Sequence, residues 1–463
     1  MSFQILFSYI YRIIYFIVMP IQIALYTNSL SVEQYGLLNL IVNTAIMSTV
    51  LFSFGLHNYS AITIPKHFYI KQLYIFKNIL IFELLSFLLL SLCAIYIIQY
   101  FHLINLDIET FYLILFTYFN FLLMNEFGKF FSYQHKLEVR LFLGILELIL
   151  IVSTLYLVNE YYSTLTIKII LFIYLSVYIL INLIYIFIIK NIKIFFTRLN
   201  HKLIKRALIF SIPLIFSDLS FRLMQNIDSY LLLYYNLKYE LGLYSFTIKI
   251  INVLYLISSP ILWVFYPYLV KYSNKPKFNY YLETQLRYTG LITVVSLSLF
   301  LINIETLIPI IATKEYIANK LYFYIVSLYP LLLLYIYNTY QILMIDKRKN
   351  IILISYLSGL TINTLFSFYL IDIYGIYGAF YSTILGLSSI FIIMMFFVKP
   401  EYKSMILKYF IIFITYLMFN ILFLLNINSV LLLNIFFPIG FSFLIYHLKI
   451  HTEIYIFIRK KIR

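Results

Sequence analysis

The amino-acid sequence predicts an all-α integral membrane protein with about fourteen transmembrane helices. Of its 463 residues, 63% are hydrophobic and only 11% are charged, whereas a soluble domain carries about 25% charged residues. Apolar runs of about 20 residues, the length that crosses a bilayer as a helix, recur along the whole chain. These observations together exclude a water-soluble fold.

The predicted spans are the apolar runs that remain when the chain is divided at its polar clusters. They lie near residues 4–27, 36–58, 76–101, 110–131, 141–159, 165–189, 207–234, 243–269, 288–306, 320–344, 351–371, 376–398, 405–425 and 428–447. The last two runs are joined only by residues 426–429, which also suits a re-entrant pair or a helical hairpin. Twelve spans is therefore the alternative count.

Basic residues alternate from side to side of this map, as expected if cytoplasmic loops retain Lys and Arg. The basic loops lie near 66–77, 129–140, 190–206, 271–287, 347–349 and 399–408, and the tail 449–463 is also basic. The opposite loops are short and carry acids such as Glu33, Glu109 and Glu240. We therefore expect a multi-pass protein of the inner (plasma) membrane with both termini in the cytoplasm. The formal charge of +16 is scattered among apolar spans and does not indicate nucleic-acid binding.

The chain also contains a candidate internal repeat. Laying Leu30–Leu37 over Asn236–Leu243 aligns two short external turns, each with an acid and a glycine before a long apolar helix. The alignment places spans 1–6 over spans 7–12 in the same orientation, which is a parallel repeat about an axis along the membrane normal. The predicted domains are an N-terminal lobe (1–190), a cytoplasmic linker (191–206), a C-terminal lobe (207–398) and two extra spans with a basic tail (399–463).

Eight charged residues fall inside predicted spans, where a charge costs several kcal/mol unless it is paired or hydrated. They are Arg12, Lys168, Arg222, Lys249, Glu83, Glu147, Asp218 and Asp228. Of these, we expect Lys168 and Glu83 to be anchored towards the membrane surface. The remainder around spans 1, 7 and 8 are the functional candidates, with simple buried ion pairs as the alternative.

Position along the helices groups these candidates further. Asp228 and Lys249 lie at nearly equal distances before and after Tyr239, so they reach one depth on adjacent helices and could pair. The repeat maps them onto Gln22 and Asn43, a neutral polar pair. Asp218 and Arg222, at i, i+4 spacing, share one helical face, which favours a second pair.

Enzyme chemistry finds little support in the sequence. The seven histidines are isolated, with no HExxH spacing, and no glycine-rich phosphate loop is present. The single cysteine, Cys93, provides neither a disulfide nor a thiolate metal site. We therefore predict no catalytic residue, no metal site and no cofactor.

Several short motifs resemble those of the polysaccharide exporters and O-antigen flippases (Wzx type) of the multidrug/oligosaccharidyl-lipid/polysaccharide exporter superfamily. They are Leu30–Leu37, Phe54–Leu56, Ser211–Leu214, Asn226–Asp228, Leu241–Ser245 with Lys249, Trp263 with Pro267, and Tyr374–Phe380. Together they run over most of the first twelve predicted spans.

The resemblance implies two six-helix lobes around a central cavity and the transfer of an undecaprenyl-diphosphate-linked oligosaccharide between leaflets. Its diphosphate is anionic, so the expected substrate-binding residues include basic side chains that form charge-assisted hydrogen bonds. The full set is Arg12, Arg222, Lys249, Asn43, Gln22 and Asn226. Asp218 and Asp228 are the expected sites of proton or sodium coupling. Further expected partners are membrane lipid and other membrane proteins of glycan assembly.

Other functions stay open at this point. A drug or metabolite antiporter of the same superfamily would favour an acid-rich cavity, against which the basic candidates argue. A membrane polymerase or ligase of lipid-linked glycans, or a non-transporting scaffold, would use the same helical architecture. The sequence does not identify the glycan, the coupling ion or the oligomeric state.

Overall fold

The computed structural model describes residues 2–101, 108–134, 136–162, 165–189, 192–273, 275–317 and 320–426. In this part of the chain the regular structure is helical, with no β-strand. The α-helices are α1 (Ser2–Ser29), α2 (Val32–Ser53), α3 (Leu56–Thr63), α4 (Tyr69–Phe101), α5 (Ile108–Tyr133), α6 (Leu137–Tyr162), α7 (Ile167–Ile188), α8 (His201–Tyr234), α9 (Lys238–Lys271), α10 (Lys277–Ile302), α11 (Ile304–Ile311), α12 (Leu321–Val326), α13 (Leu328–Ile345), α14 (Lys349–Tyr374), α15 (Ile376–Phe397) and α16 (Pro400–Asn426). The predicted all-α class is confirmed.

Ten of the described helices are long and apolar enough to cross a membrane, or eleven if the bent helix α8 counts as one span. Helix α8 bends by 57° between its parts His201–Ser211 and Ile215–Tyr234. Pro213 lies between these parts, and proline removes a backbone donor from the helix. The predicted count of fourteen is not confirmed, and the last predicted span, 428–447, lies outside the described residues.

The helices group into two compact units. The first comprises residues within Met1–Phe246, Ile311–Tyr316 and Arg348–Ile390, and the second comprises those within Thr247–Ile310, Ile317–Lys347 and Phe391–Arg463. In the first unit α8 packs on α14, α5 on α7, and α1 on α6. In the second unit α10 packs on both α13 and α16. The division into lobes 1–190 and 207–398, with linker and tail, stays a prediction.

One predicted span is interrupted by left-handed backbone. Residues 36–58 were expected to form one helix, but α2 ends at Ser53 and α3 begins at Leu56. Phe54 and Gly55 between them both have left-handed backbone, with φ of 44° and 60°. Such a conformation cannot continue a right-handed helix. The predicted span 320–344 corresponds to α12 and α13, which meet at Ser327 with right-handed helical backbone, and Leu321–Ile345 together are long and apolar enough to be one span.

The two glycines that the predicted repeat aligns lie against each other in the first unit. A Cβ atom added to Gly36, in the first turns of α2, would come within 2.6 Å of the backbone nitrogen of Gly242 in α9. A Cβ atom on Gly242 would collide with the backbone oxygen of Val32. Equivalent residues of a twofold repeat can touch only close to the axis that relates them, so this contact agrees with a repeat, and the direction of its axis stays a prediction.

Helix α4 holds the chain segment that precedes α8. The side chain of Lys77 has 0% exposure, and its Nζ donates to the backbone oxygens of Thr197, at 2.6 Å, and Arg198, at 3.0 Å. The next residue, Asn78, accepts a hydrogen bond from the backbone nitrogen of Asn200 at 2.6 Å. The segment before α8 is thus attached to α4 by partly buried hydrogen bonds.

We expect Lys77→Met to destabilise the protein by about 2–3 kcal/mol, because the hydrogen bonds that the buried ammonium group donates are lost. Lys71→Met is the matched control, since Lys71 is exposed on the same helix. Thermal unfolding of both variants in detergent measures the difference. Equal midpoints for the two variants would contradict a structural role for Lys77.

Candidate ion and substrate site

Asp228 on α8 lies at the centre of a buried polar cluster in the first unit. Its side chain has 0% exposure, and its carboxylate oxygens accept hydrogen bonds from hydroxyl and amide groups. The donors are Ser367 Oγ at 2.5 Å, Thr383 Oγ1 at 2.5 Å, Ser382 Oγ at 3.0 Å, Asn363 Nδ2 at 3.3 Å and Tyr244 OH at 3.3 Å. These partners are all neutral and come from α9, α14 and α15. The site therefore contains one anionic group in a shell of hydroxyl and amide groups.

Three of these hydroxyl groups have a second acceptor on their own helix. Ser367 Oγ is 2.6 Å from the backbone oxygen of Asn363, and Thr383 Oγ1 is 2.9 Å from that of Ala379. Ser382 Oγ is 2.9 Å from the backbone oxygen of Gly378. Each hydroxyl has a single proton and two lone pairs. Each can therefore donate to Asp228, or donate to its own helix and direct a lone pair at Asp228.

Because each hydroxyl group has two possible acceptors, the shell is compatible with both a free carboxylate and a carboxylate that has bound an ion. When the carboxylate is free, the hydroxyl groups donate to it. When a cation or proton is bound, the same groups turn to the backbone and present lone pairs, and hard cations prefer such oxygen ligands. Asn363 Oδ1 is a further oxygen of this kind, since it is buried without a hydrogen-bond partner among the described residues.

The other candidates on α8 have different surroundings. Asn226 is buried, and its amide donates to the backbone oxygen of Arg222 at 2.8 Å, within the same helix. Arg222 itself is exposed. The side chain of Asp218 is 45% exposed and lies 4.0 Å from Nε2 of His57 on α3. The structure thus brings Asp218 to His57, and an Asp218–Arg222 pair stays a prediction.

Gln22 on α1 and Asn43 on α2 have different surroundings. Gln22 is buried, and its Nε2 donates to the hydroxyl groups of Tyr26 and Tyr174, each at 2.9 Å. Asn43 on α2 is half-buried, and no hydrogen bond joins it to Gln22 in the described structure. The side chain of Arg12 lies outside the described residues.

Lys249 is half-buried on α9. It belongs to the second unit, whereas Asp228 belongs to the first. The Asp228–Lys249 pair therefore stays a prediction. Within the described residues, no group of three or more His, Cys, Asp or Glu side chains has a metal-binding arrangement.

Sequence reasoning missed the hydroxyl partners of Asp228 and the burial of Glu83. Serine and threonine are common in membrane helices, where they usually bond their own backbone, so Ser367 and Thr383 give no distinctive signal. Glu83 was expected near the membrane surface but has 0% exposure. Its helix begins at Tyr69, ahead of the predicted start near residue 76.

Comparison with solved structures identifies the class of the fold. The chain aligns over 100% of its length with 100% of a structure described as "Lipid II flippase MurJ, inward closed conformation", at 14% identity and a TM-score of 0.70. It also aligns over 89% of its length with 96% of an inward-facing "multidrug resistance MATE family transporter of the MOP superfamily", at 12% identity and a TM-score of 0.61. The protein is therefore a multi-pass membrane protein with the fold of MOP-superfamily transporters.

The N-terminal part of the chain also matches a protein-family model. The model described as "Polysaccharide biosynthesis protein" matches residues 2–273, which is more than half of the chain. The chain belongs to this family, and the resemblance inferred from its motifs is confirmed. No match was found among curated proteins.

Proposed function

We propose that the protein is a flippase that moves an undecaprenyl-diphosphate-linked oligosaccharide from the cytoplasmic to the outer leaflet of the plasma membrane. The polysaccharide biosynthesis family and the MOP transporter fold support this function. The oligosaccharide would be a unit of O-antigen, capsule or a related surface glycan. Both termini would lie in the cytoplasm, on the side of the basic loops.

Transport would proceed by alternating access, without covalent chemistry. Arg12, Arg222 and Lys249 would contact the diphosphate, because basic groups in membrane helices form strong charge-assisted hydrogen bonds with phosphate. Asn43, Gln22 and Asn226 would supply neutral hydrogen-bonding groups. In this proposal the burial of Gln22 and Asn226 requires local opening before either could reach the sugar.

Ion coupling would depend on Asp228. The observation that carries this step is the set of hydroxyl groups that can donate either to Asp228 or to their own helices. Such a shell can accommodate a free carboxylate and a carboxylate with bound Na⁺ or H⁺ without moving the backbone. Asp218, which is half exposed beside His57, would have a secondary role in coupling.

Neutralising the basic residues should reduce flipping. We expect Lys249→Gln and Arg222→Gln each to lower the rate by about 10-fold or more, since a hydrogen bond to a charged group contributes about 1.5–3 kcal/mol. The measurement is leaflet transfer of a fluorescent lipid-linked oligosaccharide in proteoliposomes. Lys168→Gln is the control, because Lys168 is half exposed and 3.8 Å from Glu109.

The same assay separates the competing functions. A polymerase or ligase would change the length of the labelled glycan, whereas a flippase changes only its leaflet. A drug antiporter, which the MATE fold also suits, would transport cationic dyes and not the lipid-linked glycan. If Lys249→Gln and Arg222→Gln both flip the lipid-linked oligosaccharide at the wild-type rate, the proposed role of these basic residues is wrong.

A further inference from the structure

A second buried group of ionisable side chains lies in the first unit and shares no residue with the Asp228 cluster. Glu83 on α4 has 0% exposure, and Glu126 on α5 has 3%. The two carboxyl groups lie close enough for their negative charges to repel each other. These two residues therefore form a carboxyl pair.

Aromatic contacts on either side fix the pairing of α4 with α5. The rings of Phe76 and Phe130 stack with centroids 4.3 Å apart, and those of Phe87 and Phe119 are 5.5 Å apart. Glu83 and Glu126 lie between these contacts along their helices. The carboxyl pair is thus held between two packed aromatic layers and cannot separate without repacking them.

The charges of this group do not balance when both carboxyl groups are ionised. Lys129 Nζ lies 2.5 Å from Glu126 Oε1, at i, i+3 spacing on α5. Neither carboxyl oxygen of Glu83 has a hydrogen-bond donor among the described residues. A lone buried carboxylate costs several kcal/mol. Two carboxyl groups can hydrogen bond to each other only when one carries a proton, since carboxylates only accept.

We propose that Glu83 and Glu126 bind one exchangeable proton between their carboxyl groups. With the proton on Glu83, its O–H donates to the Glu126 carboxylate, and Lys129 neutralises the remaining charge. Loss of the proton to water leaves two carboxylates against one ammonium group. The site is a proton-binding site in its own right, and it rests on the proposed function only in that its proton would exchange during transport.

Other ionisable groups connect this pair with the protein surface. Tyr133 on α5 interacts electrostatically with both glutamates and with Arg140 on α6. Lys129, whose side chain is 21% exposed, interacts electrostatically with His57 of α3. His57 in turn lies 4.0 Å from Asp218 of α8, which is 45% exposed. A series of titratable side chains therefore leads from an exposed carboxylate to the buried pair.

Phe54 and Gly55, which have left-handed backbone, lie directly before the helix that carries His57. They end α2 and begin α3, so His57 sits within the first turn after a break in the chain. A change of backbone conformation at the break would move His57 relative to Lys129.

The test uses infrared difference spectroscopy of the full-length protein in lipid nanodiscs across a pH titration. A protonated carboxylic acid gives a carbonyl stretching band that a carboxylate lacks. We expect the wild-type protein to lose such a band reversibly as the pH rises, and Glu83→Gln and Glu126→Gln each to lack that titrating band. Glu109→Gln, which alters a 90% exposed glutamate, should retain it.

A third variant keeps the test valid if Glu83→Gln and Glu126→Gln do not fold. Lys129→Gln keeps both carboxyl groups but removes the neutralising charge, so the band should persist at pH values at which the wild type has lost it. A band that is absent from the wild type, or that does not titrate, overturns the proposal. If the band titrates as expected but no labelled glycan changes leaflet, the proposed function fails and the proton site stands.

Discussion

Asp228→Asn is expected to lower ion-driven flipping by about 10-fold to 100-fold, because the substitution removes the one negative charge in a neutral shell of hydroxyl and amide groups. The amide nearly matches the carboxylate in size and still accepts hydrogen bonds, so the fold should persist. Transfer that needs no ion gradient should continue. The measurement compares leaflet transfer in proteoliposomes with and without an imposed Na⁺ or H⁺ gradient.

The control for this variant is Asp372→Asn, which makes the same chemical change at an exposed position on α14. It should behave as the wild type under every gradient. Ser367→Ala and Thr383→Val remove single hydroxyl groups and should give intermediate losses. Should Asp228→Asn respond to the gradient as fully as the wild type does, the coupling role of Asp228 is wrong.

Gly242→Val is expected to destabilise the protein by about 3 kcal/mol, the upper end of what overpacking usually costs. A Cβ atom at this position meets the backbone oxygen and carbon of Val32 as well as its Cγ1, and the backbone atoms cannot move aside as a flexible side chain can. The first turns of α2 and α9 would have to separate. The midpoint of thermal unfolding in detergent measures the loss.

Gly128→Ala is the matched control for the glycine contact. A Cβ atom there would lie 3.3 Å from the Tyr185 hydroxyl and 3.5 Å from Cγ of Arg140, both parts of side chains that can shift. Its unfolding midpoint should stay within a degree or two of the wild type, about 0.5 kcal/mol. Comparable unfolding midpoints for Gly242→Val and Gly128→Ala would show that α2 and α9 can move apart without loss of stability, and the prediction would be wrong.

The fold class was predictable because an apolar run of about 20 residues has few structural options in a bilayer, where backbone groups must be satisfied within the helix. Helix ends were less predictable. The break after Ser53 depends on the left-handed backbone of Phe54 and Gly55, which hydropathy does not report.

The sequence predicted the charged residue at the centre of the candidate site, Asp228, but it did not predict the hydroxyl and amide groups around it. Asp228 stands out because a carboxylate in an apolar span is costly and rare. Its partners on α14 and α15 lie 135 to 155 residues further along the chain. Only the packing of α8 against α14 and α15 reveals them. For Glu83 the sequence shows a charged residue in an apolar span, but it does not show that the side chain is buried by neighbouring helices.

The neutral composition of the shell around Asp228 has an electrical consequence. Under the proposed ion coupling, the site carries no net charge with a monovalent cation bound and one negative charge with the cation released. A membrane potential therefore does little work on the loaded site but acts on the empty one, at about 2.3 kcal/mol per elementary charge for each 100 mV traversed. In a cell with a negative interior, voltage would draw the vacated carboxylate towards the outer face, where the next cation arrives.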